Sequence, residues 1–175
     1  HALESRGILH CVVMLQGQRV HCFVVHFGLL ARSRARQADA LIDWIEREVP
    51  PDAPLIIAGD FNDWRNQLNA QLCDRLRVQE VFDAVRPRRR IVQRVAHFVH
   101  ARIADAAGVG PVPAPSPPLR KVRSARTFPS LVPWLRMDRI YLRGFEVRGA
   151  RALGGPSWAQ LSDHSPLVAD LTLRP

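Results

Sequence analysis

Lysine is nearly absent from this chain: Lys121 stands alone among 25 basic residues, and the others are arginine. Cysteine is scarce too. Cys11, Cys22 and Cys73 are too few and too irregularly spaced for a disulfide framework. An odd count without a spacing motif suits a reducing compartment, and the cytoplasm is the expected location. No apolar run approaches the ~20 residues that a membrane-spanning helix requires. The chain opens on His1 and not on Met, so a preceding segment is expected.

What is present is a globular composition, with 47% hydrophobic and 23% charged residues over 175 positions, enough for one domain with a core. The 25 basic residues outnumber 16 acidic ones, a formal net charge of +9. Such a surface attracts polyanions: nucleic acid, anionic lipid or phosphorylated small molecules. Charge alone does not choose among them, and an arginine-rich composition also follows from a GC-rich coding sequence.

Residues 7–15 and 19–26 are apolar runs flanking Gln16-Gly17-Gln18 and predict two antiparallel strands joined by a tight turn. His10-Cys11 and His21-Cys22 resemble a zinc set only on paper, because neighbours on a strand point to opposite faces and the four cannot converge. A helix is expected from an N-cap at Ser33 to about Glu48, with Ala35, Ala38, Leu41, Ile42, Ile45 and Val49 at helical spacing. Leu55-Ile56-Ile57-Ala58 has the continuous apolar character of a strand buried on both faces. A second helix is expected near 66–77. Strands follow at Met137–Arg143 and Phe145–Arg151, hinged at Gly144. The last strand, Pro166–Leu173, places Leu167, Ala169, Leu171 and Leu173 on one face. Residues 86–125, basic at Arg86–Arg90 and Pro/Gly/Ala-rich from Gly108, read as an excursion inserted in a single domain of 1–175. The class is α/β or α+β with a mixed sheet.

Four polar clusters fall at strand ends, where sites usually lie: His26 in Val24-Val25-His26-Phe27-Gly28-Leu29; Gly59-Asp60-Phe61-Asn62-Asp63-Trp64; Asp138 in Met137-Asp138-Arg139-Ile140; and Ser162-Asp163-His164-Ser165-Pro166. Each alone has a plain structural explanation, a satisfied histidine, an Asx turn or a surface ion pair. Together they supply the carboxylates, carboxamide and imidazoles that metal-assisted phosphoryl transfer uses. Alternation in Asp60-Phe61-Asn62 puts the two polar side chains on one side and Phe61 towards the core. Trp64, Trp134 and Trp158 lie near motifs, and core packing is expected for at least two of them. Arg32, Arg34 and Arg36 follow His26 closely enough to meet a substrate phosphate.

The order His26, Gly59-Asp60-Phe61-Asn62, Asp138-Arg139-Ile140, Ser162-Asp163-His164 resembles the endonuclease/exonuclease/phosphatase superfamily. Its members include pancreatic-type deoxyribonuclease, abasic-site endonucleases, sphingomyelinases and inositol-polyphosphate phosphatases. The resemblance extends over the chain outside the excursion and is nearest to small bacterial members. It implies a four-layer sandwich of two mixed β-sheets flanked by helices, here without its N-terminal strands, so that an apolar sheet face is left uncovered. It implies a Mg²⁺- or Mn²⁺-dependent phosphodiesterase acting on nucleic acid or phospholipid-type phosphodiesters. The alternative is an inactive polyanion-binding module of the same fold. By the same resemblance, His164 is the general base or phosphate stabiliser and Asp138 orients it. Asp163 binds metal, and Asp60 positions the attacking water or a second metal. Asn62 contacts the phosphate, with Arg32 and Trp64 as further substrate contacts. His26 touches a phosphoryl oxygen or protonates the leaving group. The family's early strand-end Asn and its metal-binding Glu have no counterpart here; Glu4 is read as a partner of Arg6. Weak metal binding and little activity are therefore expected of the chain by itself.

Overall fold

A computed structural model describes residues 6–85 and 125–175. The expected hairpin forms from β1 (Gly7–Leu15) and β2 (Gln18–His26). Gln16 and Gly17 both adopt positive φ between them, the backbone a two-residue hairpin turn needs. Helix α1 (Ala31–Glu48) follows, then β3 (Leu55–Asp60), α2 (Asn69–Leu76), the short β4 (Gln79–Glu80) and α3 (Val81–Val85). After the undescribed stretch come β5 (Asp138–Arg143), β6 (Phe145–Ala152), a single turn α4 (Pro156–Ala159) and β7 (Leu167–Leu173). The proposed excursion at 86–125 lies, except for the buried Ala125, outside the described residues, as does Glu4.

Five strands make one mixed sheet in the order β1-β2-β3-β5-β4, with β2 and β3 parallel and the other pairs antiparallel. The described second sheet is the antiparallel pair β6-β7. On one face of the large sheet, α1 and α2 bury Ala38, Leu41, Ile42, Ile45 and Leu72 against Phe23, Ile57 and Tyr141. The other face meets the second sheet: Leu142 and the half-buried Ile56 and Ile140 pack with Val147, Leu167, Ala169 and Leu171, and α3 joins them. The alternation expected for β7 is therefore what faces the core. Beyond that contact the β1-β2 half is open. Leu9, Val13 and Val24 share the face of the buried Val20, and all three are exposed.

Two local expectations need correction. Ser33 is not an N-cap: α1 begins at Ala31 after Leu30, with no side-chain cap bond. The Ser33 hydroxyl instead lies against Gly28, whose N–H donates to Gln37 Oε1 at 2.8 Å, so the loop is tied from within the helix. Trp64, Trp134 and Trp158 are all exposed, not core. Each sits in a loop or single turn, where no regular face turns the ring inward. The separation of histidines from cysteines holds. His10 stacks on Phe23 with His10 Nε2 3.1 Å from His21 Nδ1, while Cys11 stands opposite Cys22 in the other set of pairs.

Candidate functional site

Three strands bring their polar ends to one edge in register. His26 on β2 is paired with Asp60 on β3, and Asp60 with Asp138 on β5. Residues directly opposite on paired strands project to the same face, so one imidazole and two carboxylates form a row. The second sheet completes it. Gly144 turns β5 into β6, and the chain returns along β6 to the same end, where the loop 153–166 delivers His164. His164 Nδ1 lies 2.7 Å from Asp138 Oδ2. The loop 125–137, with its cis Phe128–Pro129 bond, braces this arrangement. Ser130 donates from its N–H to Asp163 O at 2.7 Å and from its hydroxyl to Ser162 O at 2.6 Å. The Phe128 ring stands 5.0 Å from the His164 ring. A recess of about 340 Å³ opens here, lined by Gly59, Asp138, Ile140, His164, Ser165 and Leu167.

Asp60 is held tightly. Its Oδ1 accepts the Asn62 N–H at 2.8 Å and its Oδ2 accepts Asn62 Nδ2 at 3.1 Å. The second Nδ2 hydrogen goes to Phe27 O at 2.8 Å, so both amide hydrogens of Asn62 are committed within the protein. His26 Nε2 lies 3.6 Å from Asp60 Oδ2 and is in contact with the Arg6 guanidinium. Asp60 is 16% exposed at the side chain against 54% for His26, so the row runs from solvent inward. Burial pushes the Asp60 carboxyl above its ordinary range; the Asn62 N–H opposes this, and the neighbouring Asp138 charge reinforces it. For His164 burial works to lower the pKa. The Asp138 hydrogen bond and the charges of Asp138, Asp60 and Asp163 outweigh burial, and the net direction is upward. A carboxylate biased towards protonation beside an imidazole biased towards the cation is a pair suited to proton transfer.

Gly59 lets β3 reach this edge. Its φ of +138° is glycine territory, and a Cβ there would stand 2.0 Å from Val25 O on the paired strand. The loop beyond Asp60 is anchored by Asp63, which is fully buried: its carboxylate accepts the N–H groups of Gln67 at 3.0 Å and Leu68 at 2.8 Å. Beneath it lies Arg139, 2% exposed, donating Nη2 to Asp63 O at 2.7 Å; Nε and Nη1 have no partner among the described residues. The plain sequence reading of Asp138-Arg139 as a surface ion pair does not hold: Arg139, between Asp138 and Ile140 on β5, points to the opposite face and is buried. Arg34 was named only as one of three arginines able to reach a substrate phosphate. It is buried, donates to Leu29 O and lies 5.3 Å over the Trp64 ring, whereas Arg32 is exposed.

The expected site residues thus divide. His26, Asp60, Asn62, Asp138 and His164 are brought together; Asp163 is exposed beside His164; Arg32 and Trp64 are exposed on the segments that follow β2 and β3. No group of three or more His, Cys, Asp or Glu side chains among the described residues is arranged to hold a metal ion. Asp60 and Asp138 are already engaged by Asn62 and His164, so these residues by themselves do not make a complete cation site.

The model of the Endonuclease/Exonuclease/phosphatase family matches residues 5–164. The uncharacterized protein YbhP of Escherichia coli (strain K12) is 33% identical over 172 residues, which is 97% of this chain and 54% of that protein. The chain therefore spans about half the length of that relative. Among solved structures, D. rerio TDP2 complexed with a single-strand DNA product superposes with a TM-score of 0.58 at 18% identity, covering 95% of this chain and 62% of that one. The mannosyl-6-phosphatase of Bacteroides thetaiotaomicron gives 0.57 at 16% identity, covering 90% and 53%. At these identities the structural matches speak for the fold.

Proposed function

Because the chain belongs to the endonuclease/exonuclease/phosphatase family, we propose that it carries the proton-transfer side of a phosphoesterase site, most concretely a phosphodiesterase. The observation that carries this reading is the register-locked row His26–Asp60–Asp138 with His164 hydrogen-bonded onto its end. Water oxygen bonds to phosphorus, the ester P–O bond breaks, and the products are a phosphomonoester and an alcohol. Asp60 takes the proton from water. His164, hydrogen-bonded to Asp138, donates to a phosphoryl oxygen and offsets the charge that develops there. His26, the most exposed member of the row, supplies a proton to the leaving oxygen. Asn62 fixes Asp60 through two hydrogen bonds. Arg32 and Trp64 line the substrate's approach.

Enzymes of the family are generally divalent-metal dependent. Mg²⁺ or Mn²⁺ would suit this chemistry; Asp163 and Asp60 would offer it carboxylate oxygens, and the ion would offset charge developing on the phosphoryl oxygens. The test is hydrolysis of bis-p-nitrophenyl phosphate with either ion, comparing the unaltered protein with His164→Ala and Asp60→Ala. Metal-dependent turnover lost in both variants supports the reading. Turnover indifferent to both refutes it. Absence of turnover together with salt-sensitive retention on polyanions favours a non-catalytic module of the same fold.

A further inference from the structure

Large apolar side chains crowd the end of the molecule that carries the row. Four of the described loops that leave the sheets there expose at least one. After His26 come Leu29 and Leu30, the latter 75% exposed. After Asn62 comes Trp64. Before Asp138 come Leu131 at 79%, Val132 and Trp134. Before Asp163 come Trp158 and Leu161, the latter at 77%. Four loops from different parts of the chain thus expose aliphatic and indole groups at the end of the sheets that carries the row. Single exposed apolar residues are ordinary, but a set of them on four loops at one end of the sheets is not.

The charge of the same loops is one-sided. Residues 27–36 contain no carboxylate and present Arg32 and Arg36 to solvent. Residues 61–68 contain only the fully buried Asp63 and expose Arg65. Residues 125–137 have no carboxylate and expose Arg126. In residues 153–166 the only acid is Asp163, next to His164. These loops therefore combine exposed arginines and exposed apolar side chains with a single exposed acid, Asp163.

We propose that this end of the molecule docks on an anionic phospholipid bilayer. Leucine and valine tips enter the acyl boundary, Trp64, Trp134 and Trp158 settle at the head-group level, and the arginines meet lipid phosphates. Charge complementarity favours this partner, and so does the chemistry of the tips. Single-stranded nucleic acid also selects arginine and tryptophan, but aliphatic tips have no π-face on which a base can stack. Docking would bring the recess to the head-group plane. Resting on the phosphodiesterase reading, the substrate class is then a phospholipid phosphodiester presented by the membrane.

The experiment is co-sedimentation of the protein with vesicles of phosphatidylcholine alone and of phosphatidylcholine mixed with phosphatidylglycerol. The expected result is selective pelleting with the anionic vesicles, weakened but not abolished by salt. The double variant Leu131→Glu/Trp134→Ala should lower the partition coefficient at least about tenfold. These side chains are exposed, so the variant keeps its fold, which circular dichroism checks. Met14→Glu, on the exposed hairpin at the opposite end of β1 from the row, should bind as the parent does. Equal binding by the double variant, or loss of binding only in Met14→Glu, overturns the proposal. Retention on single-stranded DNA that the double variant loses, with no vesicle binding, overturns it in favour of nucleic acid. Turnover of the soluble ester separates the two readings: if it fails while vesicle binding behaves as expected, the catalytic reading falls and the docking surface stands.

Discussion

Replacing Gly59 by alanine puts one methyl group between two strands that cannot accept it. A Cβ at this position lies 2.0 Å from Val25 O and 3.0 Å from Val25 C, both backbone atoms. Because separations under 3.0 Å are essentially never found, β2 and β3 must part by at least 1.0 Å where they pair, or the ladder must break. The φ of +138° adds backbone strain of about 1–3 kcal/mol for a residue with a side chain. Forcing a methylene into a packed interior adds about 1–3 kcal/mol more. The combined loss of roughly 2–6 kcal/mol is a large part of the ~5–15 kcal/mol that holds a domain folded. Urea denaturation followed by circular dichroism measures it; with a slope of about 2 kcal/mol/M, the midpoint falls by roughly 1–3 M. The same displacement separates His26 from Asp60, which are paired one residue further along the same strands. A misplacement near 1 Å costs on the order of 10²-fold in turnover. A Gly59→Ala protein within about 0.5 kcal/mol of the parent would show that the close approach of β2 and β3 does not hold this edge together.

Asp138→Asn removes the hydrogen-bonded charge from His164 and should lower turnover by about 10²–10⁴-fold, measured as kcat on the soluble ester. The pH profile should be a bell. Asp60 must be deprotonated and its pKa is raised, so the acid limb lies above the ordinary aspartate value of ~3.9. His164 must be protonated and its pKa is also raised, so the alkaline limb lies above ~6.5, and Asp138→Asn moves that limb to lower pH. In stability terms, His164 favours the fold most below ~6.5, and its contribution fades as pH rises through the raised native value; thermal melts of His164→Ala against the parent at pH 6 and 9 should show the difference shrinking with pH. Arg139→Met should cost less than about 1 kcal/mol in chemical denaturation, because methionine fills the space without burying two unpartnered nitrogens; Arg139→Ala, which leaves a cavity as well, should cost about 2–4 kcal/mol.

The strands and α1 were legible because their periodicity is local. In the apolar run Leu55–Ala58, Leu55 and Ile57 are buried and Ile56 and Ala58 half-buried, and Leu167, Ala169 and Leu171 turn to the core as alternation requires. The motif order also named the five side chains that meet. Their association could be written from the resemblance, but the register that produces it could not. Pairing of His26 with Asp60 and of Asp60 with Asp138 depends on a parallel and an antiparallel ladder between segments far apart in the chain. The contact that Gly59 makes with Val25 O belongs to the same long-range register. So does the depth of Arg139, since an Asp-Arg pair on a strand end looks like a surface ion pair until the Asp63 loop packs on it. The tryptophans were misplaced for a related reason: a large apolar ring is expected inside, but only the paths of the loops determine whether anything lies over it.

By itself the sequence determined which residue types stand at the strand ends, in what order, and how strongly basic the molecule is. Those properties follow from composition and short-range periodicity. The tertiary structure alone decided that the polar ends fall into one row, that Asn62 spends both amide hydrogens within the protein, and that the exposed apolar loop tips emerge at the same end of the sheets. Strand register and loop direction arise from contacts between distant segments, and no window along the chain contains them.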